Sequence, residues 1–158
     1  MKKKYLLLFI IIAIFTGCNS EPKEFSYTFI MESVNASYKI TLTIDHNKQY
    51  FVEEKQIFFY RKSNQFDPII KKGIINDEEF NEFKKLLTAG NLYKMKDSYG
   101  FENEKDQALH DVLYYIIYTA DKKEKSITIR LDDSTQFPAS FTKLIDFTNQ
   151  FISKNKGS

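Results

Sequence analysis

The sequence predicts an α+β domain: an antiparallel sheet of about five to six strands with two helices packed mainly on one face, in the order β-β-β-(β)-α-β-β-α. Three observations carry this. Several short runs alternate apolar with polar residues, the period of a strand with one buried face. Two later runs repeat apolar residues at helical spacing behind helix-start residues. The strand runs are grouped ahead of each single helix and joined by short polar turns, which favours antiparallel pairing over βαβ units.

Phe25, Tyr27, Phe29 and Met31 alternate with Ser26, Thr28 and Glu32, which makes the first strand. Tyr38, Ile40, Leu42 and Ile44 alternate with Lys39, Thr41, Thr43 and Asp45, so the second strand has one wet and one buried face. Asp45-His46-Asn47-Lys48 supplies turn-forming side chains, and Gln49 to Val52 resumes the extended pattern as a hairpin. Ile57-Phe58-Phe59-Tyr60 is a fourth apolar run, broken off by Asp67-Pro68, and Ile69 to Ile74 adds a short strand.

Asn76-Asp77-Glu78-Glu79 opens a helix. Asn76 caps the exposed N–H groups, Glu79 holds the return position of a capping box, and the acids favour the positive end of the dipole. Phe80, Phe83, Leu86 and Leu87 fall on one face, and Gly90 is placed to end the helix. Val112 to Thr119 and Ser126 to Leu131 pair around Asp121-Lys122-Lys123. Pro138 starts a last helix, with Phe141, Leu144, Ile145, Thr148, Phe151 and Ile152 as its apolar stripe.

The domain organisation follows from the first 24 residues. Lys2-Lys3-Lys4, an apolar run from Tyr5 to Phe15, and Thr16-Gly17 form the charged, apolar and small-residue parts of a secretory signal. At ~1.5 Å per residue that run falls well short of a hydrocarbon core of ~30 Å, so it is a poor permanent span. The only cysteine, Cys18, follows directly. Thr16-Gly17-Cys18 resembles the lipobox of bacterial lipoproteins, with Phe15 in place of the family's usual Leu. The resemblance implies cleavage after Gly17 and acyl chains, palmitate among them, on Cys18. Two or more chains are what a stable anchor needs. Asn19 replaces the Asp that marks inner-membrane retention in such lipoproteins, which implies sorting to the outer membrane. The expected organisation is therefore signal peptide 1–17, lipidated cysteine and tether 18–24, one α+β domain 25–153, and a polar tail 154–158. Whether the domain faces the periplasm or the cell surface stays open.

Composition narrows the function classes. Of 23 basic and 21 acidic side chains, Lys2, Lys3 and Lys4 leave with the leader, so the mature chain is close to neutral. That removes the electrostatic footprint nucleic acid requires. A single cysteine forms no internal disulfide. With 42% apolar residues and 15 Phe plus 10 Tyr, the chain is too hydrophobic to stay disordered.

Candidate chemistry is sparse. No Gly-x-Ser-x-Gly, phosphate-cradling glycine loop or His-Glu-x-x-His occurs. His46 lies in a turn beside Asp45, where a solvated role is ordinary. Asp97, Glu102, Glu104, Asp106, His110 and Asp111 form the best metal candidate, but Lys105 interrupts them and the spacing fits no calcium loop. A solvated acidic loop is the simpler reading, and neither a metal nor a cofactor is expected. Glu53-Glu54 and Asp132-Asp133 would point to opposite sides of a strand, and Glu78-Glu79 is explained by the helix start, so no carboxylate pair faces one substrate. An enzyme is not expected.

In Val112-Leu113-Tyr114-Tyr115-Ile116-Ile117-Tyr118 both side-chain parities are apolar or aromatic. One explanation is a central strand covered on both sides. The other is that Leu113, Tyr115 and Ile117 form a stripe on an open face, rimmed by threonines and Arg130, the make-up of a protein-binding patch.

The mature domain resembles small uncharacterised lipoproteins of Bacteroidota. The resemblance rests on the segment Tyr38-Lys39-Ile40-Thr41-Leu42-Thr43-Ile44, Lys72-Gly73-Ile74 ahead of the Phe80/Phe83/Leu86 helix, Asp97-Ser98-Tyr99, and the Phe137-Pro138 helix start. It implies this order of elements and no particular activity. The reading that fits best is a lipid-anchored envelope module that binds protein, for instance an immunity or inhibitor protein. Its rivals are a metal-dependent envelope enzyme or binding module using Asp97–Asp111, and an assembly component of an outer-membrane complex.

Overall fold

A computed structural model describes residues 22–33, 38–56, 67–101, 112–131 and 136–156 of the chain. Its elements are β1 (Phe25–Ser33), β2 (Tyr38–Asp45), β3 (Gln49–Gln56), β4 (Ile69–Ile74), α1 (Asp77–Gly90), a 3-10 turn (Leu92–Lys94), β5 (Ser98–Tyr99), β6 (Val112–Ala120), β7 (Lys123–Arg130) and α2 (Ala139–Asn155). The fold is α+β, with one sheet in the order β4-β3-β2-β1-β6-β7-β5.

Every neighbouring pair is antiparallel except β5 with β7, which run parallel. The seven strands exceed the expected five to six. The unforeseen strand is β5, whose two residues pair Ser98 with Thr128 and Tyr99 with Ile129. The apolar run 57–60 lies outside the described residues.

A side-chain carboxylate sets the first described hairpin turn and left-handed backbone conformations set the second. The Asp45 carboxylate accepts the N–H groups of Asn47 and Gln49, each at 2.9 Å, and Lys48 takes a positive φ of 63°. Asp121 and Lys122 have φ of 48° and 66°, the paired left-handed conformations that match strand twist in a two-residue loop. The tight turn starts β7 at Lys123, three residues before the expected Ser126.

Asn76 caps α1 as its sequence position predicts. Its side-chain oxygen accepts the Glu79 N–H at 2.9 Å, and its amide donates to the Glu79 carboxylate at 3.2 Å. Gly90 is the last residue of this helix, buried and still helical, and the left-handed conformation that closes it falls on Asn91 (φ 46°, ψ 56°). A short polar side chain tolerates that conformation, so Asn serves in glycine's usual place. At the start of α2 the Pro138 carbonyl accepts the N–H groups of Phe141 and Thr142 at 2.9 and 3.1 Å. This helix continues through Asn155, past residue 153 where the domain was expected to end, and Lys154 reaches Glu79 on α1 at 3.2 Å.

Both helices cover one face of the sheet. Phe83 of α1 lies edge-on to Tyr27 of β1, with centroids 5.4 Å apart, and stacks on Phe147 of α2 at 5.7 Å. Phe151 of α2 meets Tyr50 of β3 at 5.2 Å, and Phe141 meets Tyr99 of β5 at 6.3 Å. Phe29, Leu42, Ile44, Ile116, Ile129 and Leu144 are completely sealed in this layer. The core thus lies between one sheet face and the helix pair, and the other face carries the opposite parity of each strand.

Candidate functional site

Tyr114, Ile116 and Tyr118 of β6 point into the core, so Leu113, Tyr115 and Ile117 project from the opposite face. Strand register gives each its neighbours. Leu113 lies between Glu32 and Arg130, Tyr115 between Ile30 and Thr128, and Ile117 between Thr28 and Ser126. All three, and Arg130, are half-buried. β6 is a central strand of the sheet. Among the described residues, however, neither helix nor any strand lies over Leu113, Tyr115 and Ile117, and the stripe sits on the open face of the sheet.

Threonines and charges frame the stripe. Thr28 and Thr43 have their hydroxyls 3.3 Å apart. Further across, Lys55 bridges to Glu53 at 2.8 Å. The Arg130 guanidinium lies 4.3 Å from the centroid of the Phe101 ring, a stacked cation–π arrangement that presents both groups at one rim.

Sequence reasoning missed three contributors to this face: Ile30, Phe51 and Phe101. Ile30 and Phe51 break the polar parity of β1 and β3, a signal that is visible in the chain. It became meaningful only when register set Ile30 beside Tyr115. Phe101 stands alone in sequence, and only the fold brings it to Arg130.

The other candidates are placed less suggestively. Asp97 is 87% exposed and forms an ion pair with Lys125. Glu102, Glu104, Asp106, His110 and Asp111 lie outside the described residues, as does Cys18. Among the described residues no group of three or more His, Cys, Asp or Glu side chains is placed to hold a metal ion. His46 is exposed in the β2–β3 turn, where its backbone N–H donates to the Phe25 carbonyl at 3.0 Å. Glu53 and Glu54 project from opposite faces of β3, as adjacent strand residues must.

A cleft of about 460 Å³ lies between the 3-10 turn and the β6–β7 hairpin, lined by Pro22, Leu87, Tyr93, Tyr118 and Lys123 among others. The Tyr93 hydroxyl in it is structurally committed: it donates to the Lys123 carbonyl at 2.9 Å and accepts the Ala120 N–H at 3.2 Å. Burial first, then the Tyr93 phenol and the Asp121 carboxylate, push the Tyr118 phenol up to about 12. A phenol held neutral in this way is a poor general base at neutral pH.

No protein-family model matches this chain, and no curated protein matches its sequence. The open face is therefore read on its own chemistry: aromatic and aliphatic side chains, a polar rim and the Arg130 guanidinium stacked on Phe101. Among the described residues no helix is long and apolar enough to cross a membrane.

Proposed function

We propose that this chain is a non-enzymatic protein-binding module of the bacterial cell envelope, tethered to lipid through Cys18 and acting through the open face of its sheet. The observation that carries the reading is the stripe of Leu113, Tyr115 and Ile117 with Arg130 at its end, left uncovered by both helices among the described residues. Aromatics and arginine within a polar rim are the composition of interface centres. The run Thr16-Gly17-Cys18 behind an apolar leader supports the anchor, and Asn19 after it supports an outer-membrane location.

Anchor and patch fit together physically. Residues 19–24 extend about 20 Å at most at ~3.3–3.6 Å each. They lead into β1 at the sheet end that also carries the β2–β3 and β6–β7 turns, where Glu24 and Phe25 carbonyls accept the N–H groups of Asp121 and His46. That end then faces the bilayer and the open face stands beside it. Confinement to a surface raises the effective concentration against a partner arriving there, which suits an immunity or inhibitor protein.

Two measurements test this. Radiolabelled palmitate should appear on the intact protein and vanish in Cys18→Ser, which should also leave the membrane fraction; identical fractionation of the two would remove the anchor. Affinity capture with the lipidated protein should recover a partner that Tyr115→Ser loses while its melting temperature falls by only a few degrees. Equal capture by both forms would take the stripe out of the reading.

A further inference from the structure

The two edges of the sheet are built differently. At one edge β5 is only two residues long, and such short strands give little template for pairing. At the other edge β4 is six residues long and carries Ile69 and Ile70 at 49% exposure and Ile74 at 76%. These are the most exposed isoleucines among the described residues.

One hydrogen bond sets the phase of this edge. The Ile75 N–H donates to the Lys48 carbonyl at 2.8 Å, in register with the β3–β4 ladder. Bonded and non-bonded pairs alternate in an antiparallel ladder. Ile69, Lys71 and Gly73 therefore bond to β3, while Ile70, Lys72 and Ile74 turn their N–H and C=O groups to the side of β4 that no strand occupies among the described residues. The same three residues project their side chains onto the open face, opposite Glu53, Phe51 and Gln49. Backbone donors and acceptors and an Ile-Lys-Ile row thus coincide. Beside them the open face is hollowed by about 460 Å³ between Thr43, Phe51, Lys72 and Ile74.

We propose that this edge receives an extended acidic segment of a protein partner as an eighth, antiparallel strand. Its central residue bonds to Lys72 through the backbone and sets a carboxylate beside the Lys72 ammonium, which has no acidic partner among the described residues. The residues two positions to either side carry large apolar side chains against Ile70 and Ile74, one of them entering the hollow. Backbone bonds supply affinity and the alternate side chains supply choice, as in other strand-addition complexes.

Charge selects this occupant over a second copy of the chain. Two β4 strands paired about a two-fold axis at Lys72 set one ammonium opposite the other, which repels. Shifting the register faces each ammonium with an isoleucine. The edge lies four strands away from Tyr115 in the sheet order, so this inference stands or falls separately from the stripe.

The test uses the full-length chain in detergent and a fluorescent nine-residue peptide with Glu at its centre, Leu two positions to each side and Thr elsewhere. Fluorescence anisotropy should show saturable binding, weakened at least tenfold when the central Glu is replaced by Lys. Lys72→Glu should invert that preference with an unchanged melting curve, and Tyr115→Ser should leave it as it was. N-methylating the central Glu and both Leu residues should abolish binding, since those amides face the edge. Equal affinity for the Glu and Lys peptides, or undiminished binding of the N-methylated one, overturns the proposal. So does a dimer in sedimentation that the peptide dissociates, which would assign the edge to a second copy.

Discussion

The Tyr27 phenol lies 3.1 Å from the Thr148 hydroxyl, inside the core, joining β1 to α2. Thr148 donates its single proton to the Leu144 carbonyl at 2.8 Å, so Tyr27 is the donor and Thr148 the acceptor between them. The two deletions are therefore unequal. Tyr27→Phe removes a donor and leaves an acceptor that keeps its own bond, at about 1 kcal/mol. Thr148→Val strands a buried phenol proton, at about 1–3 kcal/mol. The double variant should recover most of the loss. Urea unfolding of all four proteins checks the order, and additive losses would contradict the assignment.

Phe83 joins three elements, touching Phe25 and Tyr27 of β1 and Phe147 of α2. It is sealed from solvent. Phe83→Ala should cost about 3–5 kcal/mol, a large part of the roughly 5–15 kcal/mol that holds a domain together. Phe83→Leu should cost clearly less, read as a smaller fall in the urea midpoint.

Gly73 has a steric reason to be glycine in the middle of a strand. A Cβ there would come within 2.7 Å of the Tyr50 ring, which lies over it and meets Phe151 edge-on at 5.2 Å. The ring covers the backbone of an edge glycine and carries β4 into the core. Gly73→Ala must displace Tyr50 from Phe151, at about 1–3 kcal/mol. Pairing it with Tyr50→Leu should lower that cost, measured as a double-mutant cycle.

Elements with a local rule could be read from the chain. Asn76 to Glu79 announce a helix start, and the alternation from Tyr38 to Asp45 announces a strand, because both depend on neighbours in sequence. β5 escaped because two residues have no period, and its partner Ile129 is distant in the chain. The Gly90 expectation followed glycine's preference for a left-handed C-terminus, where Asn91 met the same need one residue later. The stripe on β6 was half legible. Its two apolar parities are plain in sequence, but which one faces outward depends on where α1 and α2 land, and that depends on the pairing of β1 with β6. Hairpin adjacency likewise gives β4 its neighbour β3 and says nothing of its other side.

Alkaline pH should weaken the fold by a known route. Burial, then the charge and hydrogen bonding of Glu54, push the Tyr38 phenol up to about 12, and Tyr118 is pushed up to about 12 by burial and its neighbours. Burial raises Tyr27 and Tyr114 as well. With an ordinary phenol at 10.0, the unfolded chain loses protons that the folded chain retains between there and about 12. Stability is then whole below that window and falls as pH rises through it. Urea midpoints across the window should decline, and Tyr118→Phe should make the decline shallower. Ultraviolet titration should show these phenolates forming late.

Adjacent tyrosines on β6 separate core from surface in one strand. Tyr114 is buried, its ring 4.8 Å from that of Phe29, while Tyr115 stands on the open face beside Ile30 and Thr128. Tyr114→Ser removes an aromatic from a packed layer and should cost about 3–5 kcal/mol. Tyr115→Ser gives up cross-strand contacts worth about 0.2–1 kcal/mol each, so its melting temperature should fall by only a few degrees. The comparison matters for the binding assay, because it shows that losing Tyr115 does not unfold the face it belongs to. Were Tyr115→Ser to destabilise as much as Tyr114→Ser, that side chain would be packed beneath residues outside the described set, and the stripe would be core.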